Sequence, residues 1–508
     1  MQARKTDAKV LFSNDLTNIL HCESPFHKRA DFRFSAGLLE SSVAETAGTG
    51  VDIHLLQPAF GWYPLWNSKF LPIEKHFAWL KAAYGDALPD SGLPGSLDVL
   101  RWNYELARYQ LEGGDIVGEF VRHCRKYGQK PFISMRMNDS HHGGFSPCEF
   151  YHVHPEYRIN CKSNSWADRC HNWMIPEVRS FKFNLYRDLL ENYEFDGFEL
   201  DFMRYGRLYN EYETTESERT AVTTEFVREI RGIVGNRFLC VRIPADAEKR
   251  SDLGIDPRRL ADAGVDIFNY SSYFYTSQDV DFETLKTLTP DSALYLEMTN
   301  CSGVGRAAEK AEGDAYELFV CTPSELRTTA LCAYESGWQG VSLFNFAYYR
   351  RHGSDKKKTA VSEPPFEVIR DLRTPERLRE SDKTYFITSR WEPAALPQAV
   401  AVYGQNINFI FPHVAPHGNA VWELEFTVET SGPDCGDWET WFNGHTLPKP
   451  EICGRKFRWE IPASVIRQGS NRVSIRSCDL GISTIMKIKL HAQSGKEKRQ
   501  HEKICDPM

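Results

Sequence analysis

The sequence predicts an α/β protein: a (β/α)8 TIM barrel followed by a smaller all-β sandwich domain. Three observations carry this. Short β-branched or apolar runs alternate with amphipathic stretches from residue 8 to 350, no strand is followed by a glycine-rich dinucleotide turn, and beyond residue 383 the pattern becomes short alternating strands separated by turn signals. The length agrees. At ~150 residues per domain, 508 residues accommodate two or three domains, or a barrel with an accessory module.

The eight barrel strands fall at Val10–Ser13, Val51–Leu56, Pro131–Asn138, Gly197–Phe202, Phe238–Ile243, Val265–Ser271, Ala293–Met298 and Gly340–Phe346. Helical periodicity fills the intervals at residues 35–47, 114–127, 176–193, 214–234, 255–264, 282–288 and 323–337. Pro176-Glu177 reads as a helix start, since proline fits the first turn and an acid complements the dipole there. The barrel is thus expected over 1–350. The charged stretch that opens at Arg350-Arg351-His352 and includes Lys356-Lys357-Lys358 makes 351–383 a linker. Strands at Ile407–Phe411, Val421–Val428, Phe457–Ile461, Val473–Arg476 and Ile485–Leu490, with Asn443-Gly444 as a turn, place the sandwich at 384–493. The polar segment 494–508 reads as a disordered tail.

Composition narrows the function classes. A net charge of −8 lacks the basic footprint of a nucleic-acid binder. No run approaches the ~18 apolar residues of a membrane span. The N-terminus has no apolar signal core, which leaves a cytoplasmic protein, or an exported one whose signal segment has been removed. Thirteen cysteines, an odd number at irregular spacing, do not make a complete disulfide framework. An aromatic content of 13% suits either sugar stacking or a large core. The oligomeric state is left open.

Active sites of TIM barrels lie at the carboxyl ends of the strands, so polar residues there are the candidates. Strand three ends in Arg136, Asn138, Asp139, His141 and His142; strand four carries Glu199, Asp201 and Arg204; strand five gives Arg242 and Asp246. Strand six offers Asn269, Tyr270 and Tyr273, strand seven Glu297 and Asn300, and strand eight Asn345 with Tyr348. In Asp196-Gly197-Phe198-Glu199-Leu200-Asp201-Phe202, alternation sets Glu199 and Asp201 on one face and the apolar residues on the other, so the acids face the barrel interior.

The run Ile175-Pro176-Glu177-Val178-Arg179, the helix after it, and Asn192-Tyr193-Glu194-Phe195-Asp196-Gly197-Phe198-Glu199-Leu200-Asp201 with Arg204-Tyr205 resemble the TIM-barrel group called family 10-like glycosyl hydrolases. The resemblance implies glycoside hydrolysis with Asp201 in a catalytic role. A chitinase-like acidic motif is echoed from Asp196, but Met203 occupies its terminal acid position, which puts a substrate-assisted mechanism in doubt.

Glycosidic cleavage needs two carboxyl groups. Glu297, on a strand across the barrel mouth from Asp201, is the preferred partner, with Asp246 and Asp139 as rivals that could equally be a helix cap or a sugar ligand. The alternative for Glu199 is a buried brace with an interior arginine. Arg136, Arg204 and Arg242 fit an anionic sugar such as a uronate or sulfated residue, or pair internally with these acids. His141, His142, His152, His154 and His171 with Cys161 and Cys170 raise a metal-dependent hydrolase or lyase as a rival, but their spacing fits no standard zinc pattern, and neither a metal nor a cofactor is assigned. Trp62, Trp66, Trp166 and Trp173 are stacking platforms or loop packing. The carboxy-terminal segment resembles β-sandwich modules appended to glycosidases, which bind carbohydrate or buttress the barrel. The expected function is therefore hydrolysis of a poly- or oligosaccharide by Asp201 and Glu297, with carbohydrate as the only partner; a non-catalytic carbohydrate-binding barrel is the other alternative.

Overall fold

A computed structural model describes residues 3–16, 19, 33–58, 62–84, 96–139, 148–160, 162, 167–203, 207–273, 275–304, 318–347, 364–388, 395–415, 417–430, 437–478 and 481–493. The chain forms two compact units. The first comprises Met1–Tyr273, Asp281–Glu297 and Trp338–Arg370, the second Phe274–Val280, Met298–Gly337 and Asp371–Met508.

In the first unit, β1 (Val10–Asp15), β2 (Ile53–Gln57), β3 (Lys130–Arg136), β4 (Gly197–Asp201), β5 (Phe238–Pro244), β6 (Ile267–Ser271) and β7 (Ala293–Met298) run in parallel. The barrel closes through β10 (Gly340–Phe344), which pairs with β1. All eight expected strands are present. β8 (Cys301–Val304) and β9 (Leu318–Val320) form a separate antiparallel pair in the second unit.

Strand register stacks the inward side chains in levels. Toward the amino ends, Leu11, Ile53, Leu55, Phe132, Ile267 and Tyr295 form a buried apolar cluster. Above it lie Ser134, Glu199, Asn269 and Ser342, joined by hydrogen bonds. At the carboxyl ends come Gln57, Arg136, Asp201, Arg242, Ser271 and Glu297. Polarity therefore rises along the barrel axis toward the end where TIM barrels place their chemistry. Helix Pro176–Asn192 covers β4 from outside, with Tyr186 edge-on to Phe198 at 5.3 Å. It starts with proline at its first turn and Glu177 beside it, as the sequence signalled. Helices Ile73–Tyr84 and Ser96–Leu111, between β2 and β3, were not foreseen.

The second unit is a sandwich with added elements. One sheet has the order β11 (Lys383–Thr388), β20 (Ser483–Gln493), β14 (Val421–Thr430), β18 (Lys456–Ile461) and β17 (Glu451–Cys453), with β12 (Gln398–Val400) also on β20. The other runs β13 (Asn406–Val414), β19 (Gly469–Ser477), β15 (Trp438–Phe442) and β16 (His445–Thr446). Their inner faces meet through Phe426, whose ring lies 6.3 Å from both Phe409 and Trp438. Asn443 and Gly444, at φ 51° and 84°, make the tight β15–β16 turn their sequence predicts, because both positions need positive φ. The outer face of the β11–β17 sheet carries Lys487 and Lys489, and both reach Glu325 on the helix Pro323–Glu335 of the same unit. Of the expected linker, 351–363 lie outside the described residues, and short helices occupy Ile369–Leu372 and Pro375–Glu380. The expected tail 494–508 also lies outside them.

Barrel closure at β10 depends on a missing side chain. A Cβ at Gly340 would stand 2.0 Å from the Lys9 carbonyl oxygen, a backbone atom that cannot turn aside. Gly340→Ala is expected to destabilise the fold by about 1–3 kcal/mol, the usual cost of overpacking. Gly232→Ala, on the exposed side of helix Glu216–Val234 with nothing within 4 Å of the added Cβ, is expected to stabilise it by up to about 1 kcal/mol. Urea unfolding midpoints of the two variants should therefore move in opposite directions.

Candidate active site

The carboxyl-end level of the barrel is organised by Arg242 on β5. Its Nη1 donates to Asp201 Oδ1 on β4 at 2.9 Å, and its Nη2 donates to Glu297 Oε1 on β7 at 2.7 Å. Nε also bonds Glu297, so that contact is bidentate. β6 lies between β5 and β7 and presents Ser271 at this level, a side chain small enough for the arginine to pass; its hydroxyl donates to Glu297 as well. The guanidinium lies 3.6 Å over the ring of Phe344 on β10. One guanidinium fork thus spans the two carboxyl groups.

Asp201 accepts two further hydrogen bonds, from Gln57 Nε2 at 3.0 Å and from the Met203 amide at 2.8 Å. Gln57 Oε1 in turn accepts from Arg136 Nη2 at 2.9 Å, and Arg136 Nη1 donates to Asp139 Oδ2 at 2.5 Å. Asp201 and Glu297 are each 1% exposed and Arg242 2%, so this network is held away from water. Burial pushes the Glu297 carboxyl above its ordinary range while Arg242 pulls the other way.

One level down, Glu199 is hydrogen-bonded by neutral groups among the described residues, and Arg242 acts on it through its charge alone. Ser134 Oγ donates to it at 2.7 Å, Cys240 Sγ lies at 3.2 Å and Asn269 Nδ2 at 3.4 Å. The expected alternative of a Glu199–arginine brace therefore does not describe these contacts. Burial, and then the nearby charge of Asp201, raise its carboxyl to about 7. Lys182 reaches in from helix Pro176–Asn192, donating to the Arg136 carbonyl at 2.8 Å with its ammonium 4.3 Å over Trp62. Burial pulls it down to about 7, against the attraction of Asp139.

The structure thus brings together Asp201, Glu297, Arg136, Asp139, Arg242 and, one level below, Glu199. The remaining expected site residues have varied settings, and Tyr273 is tied to the network through its amide, which donates to Ser271 Oγ at 3.0 Å. Tyr270 is on the opposite face of β6 from Asn269 and Ser271, its ring 5.4 Å from Trp338; period-two alternation dictates that placement. Asp246 is exposed and caps helix Ala247–Asp252 by accepting from the Lys249 amide. Asn138 donates to the carbonyls of His171 and Arg207, tying loops together. Asn300 belongs to the second unit and is fully buried there. Tyr273 and Asn345 follow β6 and β10 with φ of 66° and 48°, unusual for residues with a side chain and common at functional sites. His141, His142, Arg204 and Tyr348 lie outside the described residues, as do Cys161 and Trp166.

Trp62, Trp66 and Trp173 are buried and act as packing; the Trp62 ring lies tilted against His171 at 3.9 Å. His154 pairs with Glu156. Among the described residues, Glu423, Glu425 and His491 of the second unit converge with metal-ligand chemistry. There Glu425 is bonded by Arg458, and His491 by Thr384.

Gln57, Ser134, Ser271 and Lys182 were not singled out from sequence. Gln57 ends β2 as the chosen residues end their strands, and Ser134 alternates with Arg136. Lys182 interrupts the apolar stripe Val178, Leu185, Leu189, a core position for a charged residue.

The sequence matches no family model and no curated protein. Among solved structures, the chain aligns with a beta-galactosidase from the psychrophilic Marinomonas ef1 at 9% identity and TM-score 0.43, covering 72% of this chain and 59% of that one. It aligns with the PgaB glycoside hydrolase domain from Bordetella bronchiseptica at 9% identity and TM-score 0.41, over 72% and 98%. An alpha-galactosidase from Geobacillus stearothermophilus gives 11% and 0.39, over 96% and 56%. Likeness at this level carries no weight for activity.

Glu199 yields a pH signature. The folded protein holds its proton more tightly than the unfolded chain does, so its contribution to stability is complete below about pH 4 and is lost as pH rises through about 7. Glu297, raised in the same direction, adds to this loss. Between pH 5 and 7.5 the urea midpoint of the wild type should fall, and Glu199→Gln should flatten that fall; an unchanged slope in the variant would assign it to other groups.

Proposed function

We propose that the barrel hydrolyses glycosidic bonds with Asp201 and Glu297 as its two carboxyl groups. The observation that carries the reading is the Arg242 fork, which holds acids from β4 and β7 together at the carboxyl end of the barrel. Their surroundings differ, as an acid and a nucleophile or base require. Asp201 accepts from Arg242, Gln57 and the Met203 amide, donors that orient one oxygen for attack or for activating water. Glu297 is pushed up by burial, which suits the group that protonates the leaving oxygen. Arg136 and Arg242 are each engaged with acids of the chain, so neither adds support for an anionic sugar. Neutral glycans are therefore the first substrates to screen.

A second reading, a non-catalytic barrel with these acids as an internal brace, is favoured by one observation: the pair is neutralised by Arg242 and almost fully buried. A hydrolysis screen over a glycan library decides between them. On the catalytic reading the wild type releases reducing ends from at least one neutral glycan, and Asp201→Asn and Glu297→Gln each lower kcat by about 10²–10⁴-fold. Turnover that survives Asp201→Asn, or no turnover of any glycan by a folded wild type, overturns it.

A further inference from the structure

Ser271 stands among four polar atoms at the level of the two acids. Its Oγ donates to Glu297 Oε1, accepts from the Tyr273 amide at 3.0 Å, lies 3.5 Å from Arg242 Nη2 and faces the Tyr273 carbonyl oxygen at 3.4 Å. A hydroxyl has one proton and two acceptor sites. Glu297 Oε1 and the Tyr273 carbonyl therefore compete for the single Ser271 proton, in a position that is 1% exposed. Tyr273 has a φ of 66°, a conformation that a residue bearing a side chain keeps only where its surroundings enforce it, and it turns both its amide and its carbonyl to this one hydroxyl.

Both protonation states of Glu297 find a complete set of partners here. With the carboxyl ionised, Oε2 accepts from Arg242 Nε, Oε1 accepts from Arg242 Nη2 and the Ser271 hydroxyl, and that hydroxyl accepts from the Tyr273 amide. With a proton on Oε1, this oxygen becomes the donor to Ser271 Oγ, and the serine proton turns to the Tyr273 carbonyl. Nothing else at this level among the described residues offers that exchange. The charged groups that face Glu297 are Arg242 of β5 and Asp201 of β4, with Glu199 a level below. The guanidinium only donates. The strands on either side of β7 turn Asn269 and Ser271, and Ser342 and Phe344, toward the interior, none of them charged.

From this geometry we propose that Ser271 is the positioning residue of the general acid: its hydroxyl holds Glu297 Oε1 in one orientation in both protonation states, by turning its proton between the carboxylate and the Tyr273 carbonyl. The inference rests on the reading of Glu297 as the acid of the proposed hydrolysis. There the Oε1 proton passes to the leaving glycosidic oxygen, which takes the electron pair of the breaking C–O bond. Negative charge then appears on the carboxyl group, and the serine proton swings onto it. That bond is charge-assisted and roughly twice as strong as the neutral one it replaces, so it favours the transition state over the ground state.

A serine kept only for its size would tolerate alanine, and that separates the two roles. Infrared spectra of the full chain without ligand, recorded from about pH 4 to 10 for the wild type and Glu297→Gln, isolate by difference the carbonyl band of protonated Glu297 and its titration midpoint. The same pair carrying Ser271→Ala should give a midpoint higher by about 0.5–1 pH unit, the loss of a charge-assisted bond set against that of a neutral one. Ser271→Thr, which keeps the hydroxyl, should leave the midpoint in place. On a glycan that the wild type cleaves, Ser271→Ala should carry the alkaline limb of kcat/KM upward with the midpoint and lower kcat about tenfold. The proposal is overturned if the Ser271→Ala midpoint equals or falls below that of the wild type, if Ser271→Thr moves it as far as alanine does, or if the wild type shows no titrating Glu297 band. Failure of every glycan to be cleaved overturns the hydrolase reading and the catalytic half of the proposal, while the infrared midpoints decide separately whether Ser271 follows the Glu297 proton.

Discussion

One buried guanidinium orders the upper barrel. Arg242 holds Asp201 and Glu297 at once, and in a dry interior no other arrangement of these side chains is cheap: an acid stripped of its partner there keeps its desolvation cost with nothing to offset it, typically 3–5 kcal/mol. The neighbouring strands bear the marks of that demand. β6 supplies a serine where a larger side chain would block the reach to β7, and β10 supplies Phe344 as a flat bed for the cation. The Gln57–Arg136–Asp139 chain extends the same logic to β2 and β3, so six of the eight strands contribute a polar group to one network.

Below that network the barrel grades into hydrocarbon. Ser134, Glu199, Asn269 and Ser342 form a hydrogen-bonded level without an arginine, and the level beneath is apolar. The gradient explains why two glutamates of one barrel differ. Glu297 sits level with a cation that opposes the effect of burial, whereas Glu199 is a step deeper, among neutral donors and beneath the Asp201 charge. A step of one level, two residues along a strand, changes the partner from guanidinium to hydroxyl and thiol.

The strands were legible because each is an apolar run of β-branched and aromatic residues closed by a polar one, and all eight appeared where that pattern put them. So was the facing of Glu199 and Asp201, which follows from period two alone. The same rule, applied to β6, sends Tyr270 outward; being polar and near a strand end was not enough to place it at the site. Which acid pairs with which arginine was not legible, because that depends on strand neighbours 40 to 60 residues apart and on the size of Ser271 between them. Lys182 was hidden for another reason: helix periodicity marks its position as core, and only the tertiary contact with the Arg136 carbonyl explains a charge there. Helices Ile73–Tyr84 and Ser96–Leu111 lie in a long interval where one helix was enough to connect β2 to β3.

The buried pair and the proposed chemistry bear on each other through proton count. Two carboxylates around one guanidinium leave a net negative charge in a low-dielectric site, and a single retained proton removes it. Each acid accepts three hydrogen bonds, so donors do not separate them; burial lifts the Glu297 carboxyl, which makes it the natural place for that proton. The requirement that makes the interior tolerable, one proton for two acids, is then the asymmetry that general acid catalysis uses. Glu199 follows the same logic: no cation among the described residues bonds it directly, and burial with the Asp201 charge outweighs the pull of Arg242, so its carboxyl is raised to about 7. Charge neutrality in the dry barrel and division of labour between its acids are, on this reading, a single constraint.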